Sequence, residues 1–229
     1  YRSLRMVNWD VEAQTAVSNE EVVYKDNGEI SKLYSVKYKI ENSPEHIVIA
    51  TQRPETIMGD SGIAVNPNDD RYQHLIGRTA IVPFINRSVP IIADEYVTMD
   101  FGTGCLKVTP AHDINDYEIG LRHGLEVIDT IGLDGKLTGA CGVKKYIGMD
   151  RFDVRKQIVK DMRVMKILIT EKKFHTRIGR SERTNSVIEP NLSLQWFIKM
   201  KSISKTAHEV VLNDTIKLFP SKFKKTYSY

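Results

Sequence analysis

"FGTGCLKVTPAHDINDYEIGLRHG", residues 101–124, joins an alternating run to a proline and then to a helical pattern. Across 105–109 the alternation turns Leu106 and Val108 toward a core and puts Cys105, Lys107 and Thr109 on the opposite face. Pro110 ends the strand. Asp113 is placed to cap a following helix, Asp116 falls in its first turn, and Gly124 lies just past its last. Five polar groups, Lys107, Thr109, His112, Asp113 and Asp116, therefore converge where a core strand meets a helix N-terminus. One explanation is purely structural: carboxylates satisfy orphan amides and the helix dipole, and Lys107 pairs with one of them. The other is a site for a small polar molecule, with Gly102 and Gly104 letting a ligand approach the backbone. The Gly-x-Gly has no third glycine and leads into a strand, which argues against a dinucleotide or phosphate loop.

The rest of the chain supplies short strands around this unit. "EVVYKDNGEISKLYSVKYKI", residues 21–40, predicts two strands as a hairpin about Asn27-Gly28. "HIVIAT", 46–51, is a buried strand that runs into "RPET", where Pro54 suits the first position of a short helix. "GIAVNP", 62–67, is another strand, and "NPNDDRYQHLIG", 66–77, predicts a helix with Asn or Asp caps and Gly77 at its exit. "TAIVPF" and "VPIIAD" form a hairpin across Asn86 and Arg87, with prolines that suggest sheet edges. A helix over 150–166, capped by Asp150, places Phe152, Ile158, Val159, Met162 and Met165 near one face. Many short strands with few helices and no regular βαβ alternation predict an α+β fold, a barrel-like mixed β-sheet core with peripheral helices. Arg53, Glu55 and Thr56, at the end of the 46–51 strand, form a second polar group at a place where sites form.

Composition narrows the function classes. The 229 residues carry a net charge of +4, but seven lysines against Glu209 and Asp214 lie in 199–229, so the body is close to neutral. A nucleic acid partner would be held by specific contacts rather than by a broad basic footprint. No stretch is long and apolar enough for a membrane helix. Two cysteines without a Cys-x-x-Cys argue against a disulfide framework or a structural zinc site, and favour a reducing, cytoplasmic setting. The opening has neither an initiator methionine nor the order of a signal peptide, so the sequence reads as a piece of a longer protein.

Four ordered motifs, "RPETIMGDSGIAVNPNDDRY", "VPIIADEYVTMDFGTG", "KVTPAHDINDYEIGLRHGL" and "VIEPNLSLQWFIKM", resemble the editing domain inserted in valyl-tRNA synthetases. Leucyl enzymes share the Arg-Pro-acid-Thr and Pro-Ala-His-Asp elements, whereas Lys107-Val108-Thr109 and the "IEPNLSLQWF" exit look valyl. The resemblance implies residues 1–30 as a segment arriving from the synthetase body, 31–198 as the editing domain, and 199–229 as a basic segment leading back to the catalytic domain. It implies hydrolysis of threonine wrongly esterified to valine tRNA, and of threonyl adenylate. For the valine enzymes it is established that an apolar pocket cannot strongly reject an isostere that only adds a hydroxyl, so a second sieve is needed. A pocket choosing threonine must offer hydrogen bonds that valine leaves unmade.

Carried over by position, the resemblance puts Asp116 on the substrate's α-ammonium and Lys107, Thr109 and Asp113 around the threonyl side chain. Arg53, Thr56 and Phe101 match positions near the terminal adenosine and ester, with Gly102 beside them and His112 supporting the loop before the helix. Water is the nucleophile. Editing needs no cofactor and no metal, while the parent enzyme uses ATP. The partners implied are the acceptor end of valine tRNA, threonyl adenylate and the rest of the synthetase chain, with no membrane. Departures include Cys105 for a usual alanine, Gln52 for a usual threonine, and the absence of a Cys-x-x-Cys in "HTRIGRSERTNSVIEP". The synthetase signatures His-Ile-Gly-His and Lys-Met-Ser-Lys-Ser are also absent, so these residues alone are not expected to charge tRNA. Two other readings compete: a non-catalytic docking module for the tRNA end, and a metal-dependent phosphohydrolase built on His112 and Asp113.

Overall fold

In the computed structural model, which describes residues 1–228, the chain divides into two compact units. The larger comprises Met6–Leu192 and the smaller Tyr1–Arg5 with Ser193–Tyr229. The strands in chain order are β1 (Arg2–Asp10), β2 (Thr15–Val17), β3 (Val22–Val23), β4 (Glu29–Ile40), β5 (His46–Thr51), β6 (Gly62–Val65), β7 (Thr79–Val82), β8 (Arg87–Ala93) and β9 (Cys105–Val108). Helices α1 (Ile114–His123) and α2 (Arg151–Val164) follow, then β10 (Leu168–Thr176), β11 (Arg180–Ser181) and β12 (Glu189–Trp196).

The larger unit is built on a seven-stranded mixed sheet in the order β10-β4-β7-β8-β6-β9, with β5 also paired to β4. Only β6 and β8 run parallel. At the far side β5 and β9 come together, so the sheet nearly closes into a barrel. The long strand β4 shows why: Tyr34, Val36, Tyr38 and Ile40 alternate inward, and three strands, β5, β7 and β10, pair along its length. The interior is filled by fully buried Ile40, Ile47, Ile49, Ile57, Ile63 and Ile91, each contributing about 2 kcal/mol by removal from water. Helix α2 closes one end with Val154, Ile158, Val159 and Met162. A second, smaller cluster of Ala64, Val97, Val108 and Ile119 lies outside the sheet, under α1.

Several local expectations are corrected. The turn at Asn27-Gly28 forms, with Gly28 at φ +64°, but the flanking strands do not pair as a hairpin. Instead β3 pairs with β11 and β4 with β10, because the long apolar face of β4 is satisfied only inside the barrel. Residues 66–77 form turns and a single 3-10 turn, Gln73–Leu75, stitched by Asp69, whose carboxylate takes the Arg71 amide and guanidinium. Pro90 is not at an edge: β8 lies between β7 and β6. The Ile91 amide donates to the Arg78 carbonyl at 2.9 Å, so the Pro90 nitrogen faces away from β7, toward a side where β6 pairing begins only at Ile91. In α2, Val154 takes the core position, while Phe152 is half-buried and Met165 exposed. Strand β9 is covered on both faces: Cys105 belongs to the main core, Val108 to the cluster beneath α1, and Leu106 is only partly buried.

In the smaller unit, α3 (Met200–Leu212) and α4 (Phe223–Tyr227) pack together, and the Tyr1 ammonium donates to the Phe197 carbonyl at 2.9 Å. Its surface keeps large apolar side chains, among them Trp196, Ile203 and Phe219. No helix among the described residues is long and apolar enough to cross a membrane.

Candidate active site

A cavity of about 750 Å³ opens at the end of the barrel where β5 and β9 finish. Lys107, Thr109, His112, Asp113 and Asp116 contribute to one side, and Arg53, Thr56 and Phe101 also line it. The structure thus brings together eight of the nine residues to which the resemblance gives a place in the site. Gly102 is not among them. Its φ of +62° turns the chain, and an added Cβ would lie 3.0 Å from the Ala50 Cβ, so the backbone approaches β5 closely there. Gly104 is likewise filled by its own chain, with the Arg71 guanidinium where a Cβ would project.

Helix α1 forms as its caps dictate. Asp113 Oδ1 accepts from the amides of Asn115 (2.8 Å) and Asp116 (3.1 Å), and Gly124 ends the helix at φ +63°. Asp113 is exposed, and its other oxygen has no protein partner among the described residues. Asp116 is buried, and its Oδ2 accepts the Thr109 amide at 2.9 Å, which pins the first turn of α1 to the end of β9. Burial raises its carboxyl to about 7, with Lys107 pulling it down and Asp113 pushing it up.

Lys107 and Thr109 face Asp60, a residue the sequence reading left in the "GDSG" stretch without a role. Thr109 Oγ1 donates to Asp60 Oδ1 at 2.6 Å, Lys107 Nζ donates to the same oxygen at 3.1 Å, and Lys107 also donates to Thr109 Oγ1. Tyr38 OH, from near the C-terminal end of β4, donates to Asp60 Oδ2 at 2.6 Å. Burial, and then the Asp60 charge, push the Tyr38 phenol well above its ordinary value, so it remains a donor. Asp60 itself is raised by burial, against the pull of Lys107 and of the Thr109 and Tyr38 hydroxyls.

Arg53 is differently placed. Its guanidinium is taken up by Glu189 (2.6 and 2.8 Å), Glu55 (3.1 Å) and the His112 carbonyl (2.9 Å). Arg155 binds Glu55 in fork geometry at 2.6 and 2.8 Å, and Arg151 reaches Glu189 at 3.3 Å. Burial favours neutral Glu55, but Arg155 and Arg53 outweigh it and hold the carboxyl below its usual range. In Glu189 burial prevails over Arg53 and Arg151, and the carboxyl is raised. Thr56 Oγ1 donates to the Arg53 carbonyl at 2.9 Å, closing the Pro54–Gly59 turn. Glu189, Arg151 and Arg155 come from sequence positions remote from Arg53, and only Glu189 stood in a quoted motif.

His112 Nε2 accepts the Thr130 amide at 3.0 Å, which places the ring proton on Nδ1. Burial first, then Arg53 and Lys107, depress it to about 3. The His112 Nε2 lone pair is thus engaged by Thr130 and Asp113 Oδ1 by two helix amides, and no group of three or more His, Cys, Asp or Glu side chains is placed to hold a metal ion among the described residues. Phe101 is exposed and sets its ring edge-on to Phe174 at 6.0 Å, at the cavity mouth.

A strand-to-helix polar wall on a nearly closed mixed barrel, joined to the family comparison, defines the class of protein. The model of the tRNA synthetases class I (I, L, M and V) matches residues 1–229, and the chain belongs to that family. Within it, the chain is 52% identical over 229 residues to a valine–tRNA ligase of Bacteroides fragilis, covering 100% of this chain and 26% of that one. It is 53% identical over 230 residues to the valine–tRNA ligase of Porphyromonas gingivalis (100% and 26%), and 46% identical over 227 residues to that of Clostridium tetani (99% and 25%). The chain therefore spans about a quarter of the length of the curated relatives it matches. Among solved structures it is similar to the LeuRS of Agrobacterium radiobacter K84 in a ternary complex with tRNA and LeuAMS, with a TM-score of 0.49, 17% identity, and coverage of 82% of this chain and 31% of that one.

Proposed function

We propose that this chain is the editing segment of a valine–tRNA ligase and hydrolyses threonine mischarged on valine tRNA, and threonyl adenylate. The observation that carries the reading is the polar wall of the cavity. Asp116 keeps one oxygen on the Thr109 amide, and its second has no protein partner among the described residues. An ionised carboxylate there is an anchor for an α-ammonium group. Lys107 and Thr109, on the neighbouring strand, offer polar contacts to a side-chain hydroxyl that an isosteric methyl leaves unmade. Asp113 adds an acceptor at the wall's outer rim, and exposed Phe101 offers a face on which a terminal base stacks.

With the aminoacyl group held by both ends, its ester carbonyl faces water in the open part of the cavity. The chain's contribution is orientation and electrostatic complementarity rather than a covalent intermediate. Arg53 supports the site through Glu55, Glu189 and the His112 carbonyl, with no guanidinium fork left free for the tRNA end. In this reading editing needs no cofactor, ATP belongs to the charging reaction of the longer enzyme, and the partners are the tRNA acceptor end and the remaining synthetase domains. The test is deacylation of threonyl valine-tRNA by the full-length ligase carrying Asp116→Ala. Loss of a charge-assisted contact is expected to slow it about 10- to 100-fold. Unchanged deacylation rejects the role of Asp116.

A further inference from the structure

Beneath the polar wall, Asp60 is fully buried and does not itself line the cavity. Its carboxylate collects three donors: Thr109 Oγ1 and Lys107 Nζ on Oδ1, and Tyr38 OH on Oδ2. A charged group this deep is costly unless fully hydrogen-bonded. Its consequence lies one layer up, in the direction of protons. The single hydroxyl hydrogen of Thr109 goes to Asp60 and one lone pair accepts Lys107, so the remaining valence of Thr109 is an acceptor. Lys107 directs two N–H groups to Asp60 and Thr109, which leaves one N–H as a donor. Both residues line the cavity. An acceptor beside a donor matches a hydroxyl, which gives one hydrogen bond and takes another; a methyl can do neither.

We infer that Asp60, held by Tyr38, is the positioning residue that makes this wall selective for a hydroxyl-bearing aminoacyl side chain over its methyl isostere. The inference rests on the editing reading above and names the residue beneath its selectivity. An asparagine at 60 presents an amide that itself donates hydrogen bonds. Thr109 then no longer has to point its hydrogen downward, and the ordered donor and acceptor pattern is lost. Phenylalanine at 38 keeps the carboxylate but removes the contact that fixes its rotation.

The experiment uses a full-length valine–tRNA ligase carrying this segment, with Asp60→Asn and Tyr38→Phe made separately. The kcat/KM for hydrolysis is measured for both the threonyl and the valyl ester of valine tRNA. In Asp60→Asn the threonyl-to-valyl ratio is expected to fall about tenfold or more, through the threonyl substrate alone. In Tyr38→Phe it is expected to fall by about threefold. A residue that only supports the fold slows both esters equally and leaves the ratio where it was, which overturns the inference. If Asp60→Asn does not fold, Tyr38→Phe decides, and an unchanged ratio there overturns it as well. Failure of the unsubstituted enzyme to hydrolyse the threonyl ester removes the editing reading itself, and this inference with it, before any variant is compared.

Discussion

Two buried charge clusters meet the same cavity and behave in opposite ways. Around Arg53, its guanidinium, two more arginines, Glu55 and Glu189 pair mainly with one another: each Arg53 nitrogen already donates to Glu55, Glu189 or the His112 carbonyl, and Arg155 forks onto Glu55. Around Asp60, one carboxylate takes three donors, and the two cavity-lining donors each keep a valence to spare. A charge in a cavity wall is therefore not by itself a ligand contact. What matters is what its hydrogen-bonding capacity is committed to inside the protein: the first cluster's carboxylates are committed to its arginines, whereas in the second Lys107 and Thr109 turn a complementary donor and acceptor to the cavity.

Breaking the mutually paired cluster around Arg53 should cost the most. Glu189→Ala leaves Arg53 and Arg151 facing each other without their shared carboxylate, and is expected to lower stability by about 3 kcal/mol. That is the low end for a buried pair, because the Arg53 side chain is 28% exposed and water screens part of the loss. Chemical denaturation measures it; a shift below about 1 kcal/mol would mean the network is solvated and the contrast between the clusters false.

The next effect is on binding and concerns Asp116. Its carboxyl is raised to about 7, so the folded protein holds the proton more tightly than the unfolded chain does. From this group alone, stability is full below the unfolded value near 4 and declines as pH rises through about 7. Binding of an ammonium runs the other way, since it needs the ionised form. The affinity for a non-hydrolysable threonyl-adenosine amide is expected to rise about fivefold between pH 6 and 7, and to fall again above about 8 as the ligand's own α-ammonium loses its proton. Calorimetry across that range checks it, and a flat profile removes Asp116 as the ammonium anchor.

The smallest effect separates the two roles of Asp113. Asp113→Ala removes the α1 cap and should cost about 1 kcal/mol, whereas Asp113→Asn retains a good capping oxygen and should be close to neutral. If deacylation falls in Asp113→Asn while its melting temperature is unchanged, the charge of Asp113 acts on substrate. Equal activity assigns the residue to the helix alone.

Local signals were legible where local physics sets the outcome. The β9 to α1 transition, with Asp113 as cap, Asp116 in the first turn and Gly124 at the exit, follows from hydrogen-bonding needs within one stretch of chain. So do Pro54 opening its turn and Asp150 capping α2. The hairpin at Asn27-Gly28 failed because a good turn does not choose strand partners, and β4 gained more by entering the barrel than by folding back on β3. The turns over 66–77 failed as a helix because the Asp69 carboxylate competes for the backbone amides.

What the amino-acid order alone determined is the family, the α+β class, and the residue types gathered at the strand-to-helix junction, since each is written in contiguous motifs. What only the tertiary structure decided is which of those residues retain free valences. Arg53 looked available until Glu189, more than a hundred positions away, was found on its guanidinium; Asp60 looked incidental until Tyr38, Lys107 and Thr109 closed on it. Hydrogen-bond saturation is a property of neighbours in space, and barrel closure chooses those neighbours.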